Sequence, residues 1–160
     1  MADEPEIIQV PNVLKNKVSF GPDGVDLEAL ERAEAVIANL QGNYLEWVQE
    51  DLQRLQALYE TAIKLPEAER APVMKQIFGI AHDVKGQGGS FGYGLVTAIG
   101  NQLCRFLEGR ESFTNPELEA VRLHIDTIRM VIAKRMEGDG GREGESLMRG
   151  LQLVVNKVTK

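Results

Sequence analysis

The stretch Ile80-Ala81-His82-Asp83-Val84-Lys85-Gly86-Gln87-Gly88-Gly89-Ser90-Phe91-Gly92 holds the pattern from which the rest of the chain can be read. Its apolar residues recur at helical spacing, yet it carries glycines at 86, 88 and 89 and a histidine at 82. A glycine inside a helix costs about 1 kcal/mol relative to alanine, so three cost roughly 3 kcal/mol of local stability. Something other than helix stability must favour them. On a wheel of about 3.6 residues per turn, Val73, Ile77, Ile80, Val84 and Phe91 gather on one side, with Ala81 and Gly88 at its margin. That side is the expected core face. His82 points almost directly away from it, and around it at helical offsets lie Phe78, Gly79, Lys85, Gly86, Gly89 and Lys75.

Working outward, Pro66 and Pro72 bracket a turn before this helix, because proline is tolerated in a first helical turn but not in the interior. Before the turn, Leu45, Val48, Leu52, Leu55, Tyr59 and Ala62 mark an amphipathic helix. Gly42 is a weak break or kink between it and a preceding helix, capped by Asp26 and carrying Leu27, Leu30, Ala33, Ile37 and Leu40. After the central helix, Gly92 and Gly94 act as its stop. The next helix runs from near Leu95 through Ile99, Leu103 and Phe106 to Gly109. Asn115-Pro116-Glu117 predicts cap, first-position proline and first-turn acid of another, with Leu118, Val121, Ile125, Ile128 and Ile132 as its stripe. Residues 138–144 read as a glycine-rich linker, and Leu147, Leu151, Val154 and Val158 as a final helix over 145–160.

No stretch alternates as a strand does, so the predicted fold is all-α. Short connections make sequential helices antiparallel neighbours, giving an up-down-up-down four-helix bundle over 43–137. Additional N-terminal and C-terminal helices would pack on the bundle or cap its ends, so that the helical body spans 26–137 and the final helix follows the linker. Residues 1–25 lack helical periodicity but hold Ile7, Ile8, Val10, Val13, Leu14, Val18 and Phe20. An ordered arm along the body is favoured over a mobile tail.

The formal charge of −6 argues against nucleic acid as a partner, since phosphate neutralisation needs clustered Lys and Arg. A single cysteine, Cys104, leaves no intramolecular disulfide and suits a reducing compartment. No apolar run approaches the ~20 residues of a membrane span, and the acidic start lacks the basic n-region of a signal peptide. The expected location is the cytoplasm, away from membranes. His82, His124, Cys104 and the nearby acids do not have metal-ligand spacing, so neither metal nor cofactor is expected.

A solvent-facing imidazole offers an unprotonated ring nitrogen as a nucleophile near neutral pH. Lys85, one turn on, is a flexible point charge able to pair with a phosphoryl group on that nitrogen. Gly86 and Gly89 remove side chains from the same face and allow a partner's backbone to approach. Phe78 offers an apolar anchor. Gly88, turned toward the core, serves helix packing instead. His82-Asp83-Val84-Lys85-Gly86, continued by Ser90-Phe91-Gly92, resembles the signature of histidine-containing phosphotransfer (HPt) domains, with similarity over about 43–137.

The resemblance implies a four-helix bundle that relays phosphoryl groups between aspartates of receiver domains. By it, His82 is the phosphoacceptor through Nε2, Lys85 stabilises the phosphoryl group, and Phe78, Gly79, Gly86 and Gly89 meet the partner. The implied partners are response-regulator receivers and a hybrid or sensor histidine kinase, with Mg²⁺ held by the receiver and this chain a monomer. No GxxxxGK[ST] loop is present, so ATP is not the expected phosphoryl source. The alternative is a non-catalytic helical adaptor using the same glycine-rich face. Among HPt domains a polar side chain from the next helix often meets the imidazole, and Gln102 is the candidate here. Cys104 reads as a small buried apolar group, and His124 as a half-buried structural residue.

Overall fold

The computed structural model describes residues 26–159; the proposed arm at 1–25 lies outside the described residues. Five α-helices follow one another: α1 Leu27–Lys64, α2 Ala71–Gly88, α3 Gly94–Leu107, α4 Asn115–Ala133 and α5 Gly141–Val158. The chain divides into two units after Asn43.

In the first unit, the Asp26 carboxylate accepts the amides of Glu28 and Ala29 at 3.1 and 3.2 Å, as an N-cap should. The expected break at Gly42 is absent, and α1 runs through it. One interior glycine costs only about 1 kcal/mol, which the alanines, leucines and glutamines around it outweigh.

In the second unit, α1 buries Tyr44, Val48, Leu52, Leu55, Tyr59 and Ala62, three of which are leucine or valine at the expected spacing. Its direction relative to α2 follows from two contacts. Tyr44 stacks on Phe91 at 4.9 Å, and the carbonyls of Ala62 and Leu65 accept from Arg70, just before α2. The two helices are therefore antiparallel. Lys85 meets Thr97 across α2 and α3, and Arg110 pairs with Glu117 between α3 and α4, which continues the up-down-up-down order. Gln102 on α3 bonds to Gln152 on α5 at 2.9 Å, and α5 packs against both α3 and α4. The additional C-terminal helix thus lies along the bundle.

Arg70 deserves its burial, at 5% exposed. Its guanidinium donates to the carbonyls of Ala62, Leu65 and Phe113 and to Asn115 Oδ1, at 3.1, 3.1, 2.8 and 2.8 Å. One side chain thereby ties the α1–α2 turn to the start of α4. Arg70→Met strands these acceptors, and we expect a loss of about 3 kcal/mol, read as a lower urea midpoint; an unchanged midpoint would show the ties to be dispensable.

Several boundaries differ from expectation. The buried positions of α2 are Met74, Ile77, Ala81, Val84 and Gly88, while Val73, Ile80 and Phe91 are only partly buried. The core stripe is rotated toward α3, whose close approach the α2 wheel alone does not contain. The helix ends at Gly88 and continues as a 3₁₀ turn, Gly89–Phe91. Thr114, not Asn115, caps α4, in a reciprocal capping box with Glu117. The linker before α5 is shorter than 138–144, since α5 starts at Gly141. Gly144 falls inside the helix, where a Cβ would collide with the Asp139 carbonyl, so the position calls for glycine without breaking the helix.

Candidate functional site

The α2 stop is a Schellman arrangement. Gly92 is left-handed at φ +90°, Tyr93 N donates to Gly88 O at 2.8 Å, and Gly92 N to Gly89 O at 3.3 Å. Gly138 then bridges the end of the bundle, donating to Gly92 O and accepting from Leu95 N, each at 2.7 Å. The helix carrying His82 is therefore held at its C-terminal end by three segments of chain.

His82 is exposed on α2, one turn past Phe78, whose ring centroid lies 6.1 Å from the imidazole. No hydrogen bond engages the imidazole among the described residues. Beside it a groove of about 850 Å³ runs between α1 and α2, walled by Ala57 and Leu58 on one side and Phe78, Gly79 and Ile80 on the other. Arg54 and Asp83 stand at its polar rim. Arg54 also pairs with Asp51 at 3.0 Å. Burial pushes the Asp51 carboxyl up; Asp83 and Glu50 add to that, and Arg54 pulls it partly back.

The glycines separate by what a side chain would meet. At Gly79 and Gly86 a Cβ would have nothing within 4 Å. Nothing in the packing of the described residues requires glycine at either position. At Gly88 a Cβ would lie 2.8 Å from Thr97 Oγ1, 2.9 Å from Tyr93 O and 3.0 Å from Thr97 N, so glycine there permits α3 to close on α2. Gly89 is exposed, as expected, with a virtual Cβ in ordinary contact with Thr97 at 3.5 Å.

Lys85 is half-buried and lies along α3. A Cβ at Gly100 would come within 3.1–3.3 Å of Lys85 Cβ, Cα and N. One turn further, burial pushes the Cys104 thiol up, with the Lys85 ammonium near enough to pull it partly back. Cys104 is buried, as expected. Thr97 and Gly100 were not among the residues singled out from the sequence. Gly100 carried a signal: it interrupts the apolar run Leu95, Ile99, Leu103 with the same cost in helix stability that marks α2.

Gln102 does not reach His82. Its side-chain oxygen is 3.0 Å from His124 Nε2, while its amide nitrogen bonds Gln152. His124 is wholly buried rather than half-buried, with Nδ1 donating to Ala120 O at 2.7 Å. A wheel of α4 places His124 at the edge of its stripe; Gln102 of α3 meets it there, a neighbour the wheel lacks. Burial holds the His124 pKa below its ordinary 6.5, against the opposing pull of the Ala120 bond. A histidine so lowered binds fewer protons folded than unfolded, so stability is full above about pH 6.5 and declines as pH falls through that value. Urea unfolding at about pH 7.5 and about pH 5.5 should show a larger drop for wild type than for His124→Gln, by up to about 1.4 kcal/mol per pH unit. Equal drops would remove His124 as the source.

The chain belongs to the histidine-containing phosphotransfer family: the family model for the Hpt domain matches residues 39–131, more than half of the 160-residue chain. Comparison with curated proteins and with solved structures returned no match. Membership ties the protein to phosphorelay signalling of the two-component kind, in which Hpt domains work with histidine kinases and response regulators. Among the described residues no helix is long and apolar enough to cross a membrane.

Proposed function

We propose that this protein is a phosphorelay intermediate that accepts a phosphoryl group on His82 Nε2 from a receiver aspartate, or from a histidine kinase, and passes it to a response-regulator receiver. The observation that carries the reading is an exposed imidazole flanked on its own helix by two glycines, Gly79 and Gly86, at which an added Cβ would meet nothing among the described residues. Bare backbone on both sides of a nucleophile leaves room for a second protein to bring its aspartyl phosphate in line.

The Nε2 lone pair forms the N–P bond as the P–O bond to the aspartate breaks, and the carboxylate departs with that electron pair. Nδ1 keeps its proton. Lys85 lies one turn from His82, and its ammonium would pair with the non-bridging oxygens of the transferred group. Positioning and electrostatics supply most of such a transfer. The receiver brings its own Mg²⁺, and this chain, acting as a cytoplasmic monomer, needs no cofactor. The apolar groove beside His82, with Phe78 as anchor, is the docking surface, and Gly89 extends that surface toward the end of α2.

Incubation with a phosphorylated cognate receiver tests the proposal: the wild-type chain should take up acid-labile, alkali-stable label. Binding of a receiver without any label would instead support a non-catalytic adaptor on the same face.

A further inference from the structure

The seam between α2 and α3 lies directly behind Lys85, and it is built around one hydroxyl. Thr97 Oγ1 donates to Lys85 O and accepts from Gly89 N, both at 2.7 Å. In a continuing helix these two backbone groups, four residues apart, would pair with each other. Here the threonine stands between them. Gly88 leaves the space for it, and Gly100, three residues along α3, lets the helix backbone come against Lys85 N, Cα and Cβ. Thr97 and Gly100 thus hold the backbone from which the Lys85 side chain departs.

We infer that Thr97 is a positioning residue for phosphoryl transfer, acting through Lys85 by fixing the last turn of α2. The inference rests on the proposed role of His82 and Lys85. A valine at 97 has the same shape but puts a methyl where the hydroxyl sits. Carbon needs about 3.3–3.6 Å to a carbonyl oxygen, so the Lys85 turn must move away by roughly half an ångström or more. Displacements of about 1 Å cost on the order of a hundredfold in rate where alignment matters.

The test is single-turnover transfer from a phosphorylated receiver, at a temperature where circular dichroism shows every variant folded. Thr97→Val should transfer about tenfold more slowly at saturating receiver, with its half-saturation changed less than about twofold. Thr97→Ser, which keeps the hydroxyl, should stay close to wild type. Thr97→Ala removes the hydroxyl without adding bulk and serves if the valine variant does not fold. The double variant Lys85→Ala/Thr97→Val should be no slower than Lys85→Ala alone, since Thr97 acts through that side chain. A folded Thr97→Val or Thr97→Ala protein transferring at the wild-type rate overturns the inference and leaves the phosphorelay reading standing. So do losses that multiply in the double variant. An unlabelled wild type overturns the phosphorelay reading, and this inference with it.

Discussion

His82→Gln yields a folded protein that takes no phosphoryl group from a receiver, its label falling to background. The fold has little at stake in this side chain: the imidazole is exposed and makes no hydrogen bond among the described residues. Glutamine is a good helix former, and surface changes of this kind usually stay within about 0.5 kcal/mol. Unfolding midpoints should therefore coincide. The chemistry, by contrast, loses its nucleophile outright, because the glutamine amide has no basic nitrogen. His124 offers no substitute, being wholly buried with Nδ1 bonded to the Ala120 carbonyl and Nε2 set against the Gln102 side chain. Label retained by a folded His82→Gln protein would show that phosphate rides elsewhere.

Gly86→Gln separates recognition from folding. With nothing within 4 Å of a Cβ at this position, the free protein should be at least as stable as wild type, gaining up to about 1 kcal/mol from improved helix propensity. Transfer from a receiver should nonetheless fall by on the order of a hundredfold, as an added side chain beside His82 holds the two backbones apart and spoils the alignment. Gly88→Ala makes the opposite trade. Its Cβ would press on Thr97 and the Tyr93 carbonyl at 2.8–3.0 Å, costing about 1–3 kcal/mol of stability as an overpacked seam. Two glycines two residues apart should therefore fail in different assays, one in transfer and the other in a denaturant titration. Full transfer by Gly86→Gln would mean that no partner approaches along this face.

The contrast between these glycines was legible in the sequence because it depends only on helical phase, which one helix carries by itself. The same holds for the α2 stop at Gly92 and the paired prolines before α2. What escaped depends on chain brought in from far away. The α2 core stripe turns toward Met74 and Ala81 because α3 closes against Gly88. His124 is wholly buried, and Gln102, from the preceding helix, is drawn to it instead of to His82. Gly42 misleads in the other direction: a local breaker signal of about 1 kcal/mol is too small to divide a helix of 38 residues. Thr114 displaces Asn115 as a cap through its reciprocal bonds with Glu117. Thr97 had no mark of its own, since its importance lies in two backbone groups on another helix.

The chain has only two histidines, which makes the location of phosphate a decision between two peptides. Mapping the phosphoryl group on the native chain after incubation with a phosphorylated receiver, under alkaline conditions that preserve phosphohistidine, should place it on the peptide containing His82. Phosphate on the His124 peptide, or on neither, would contradict the account.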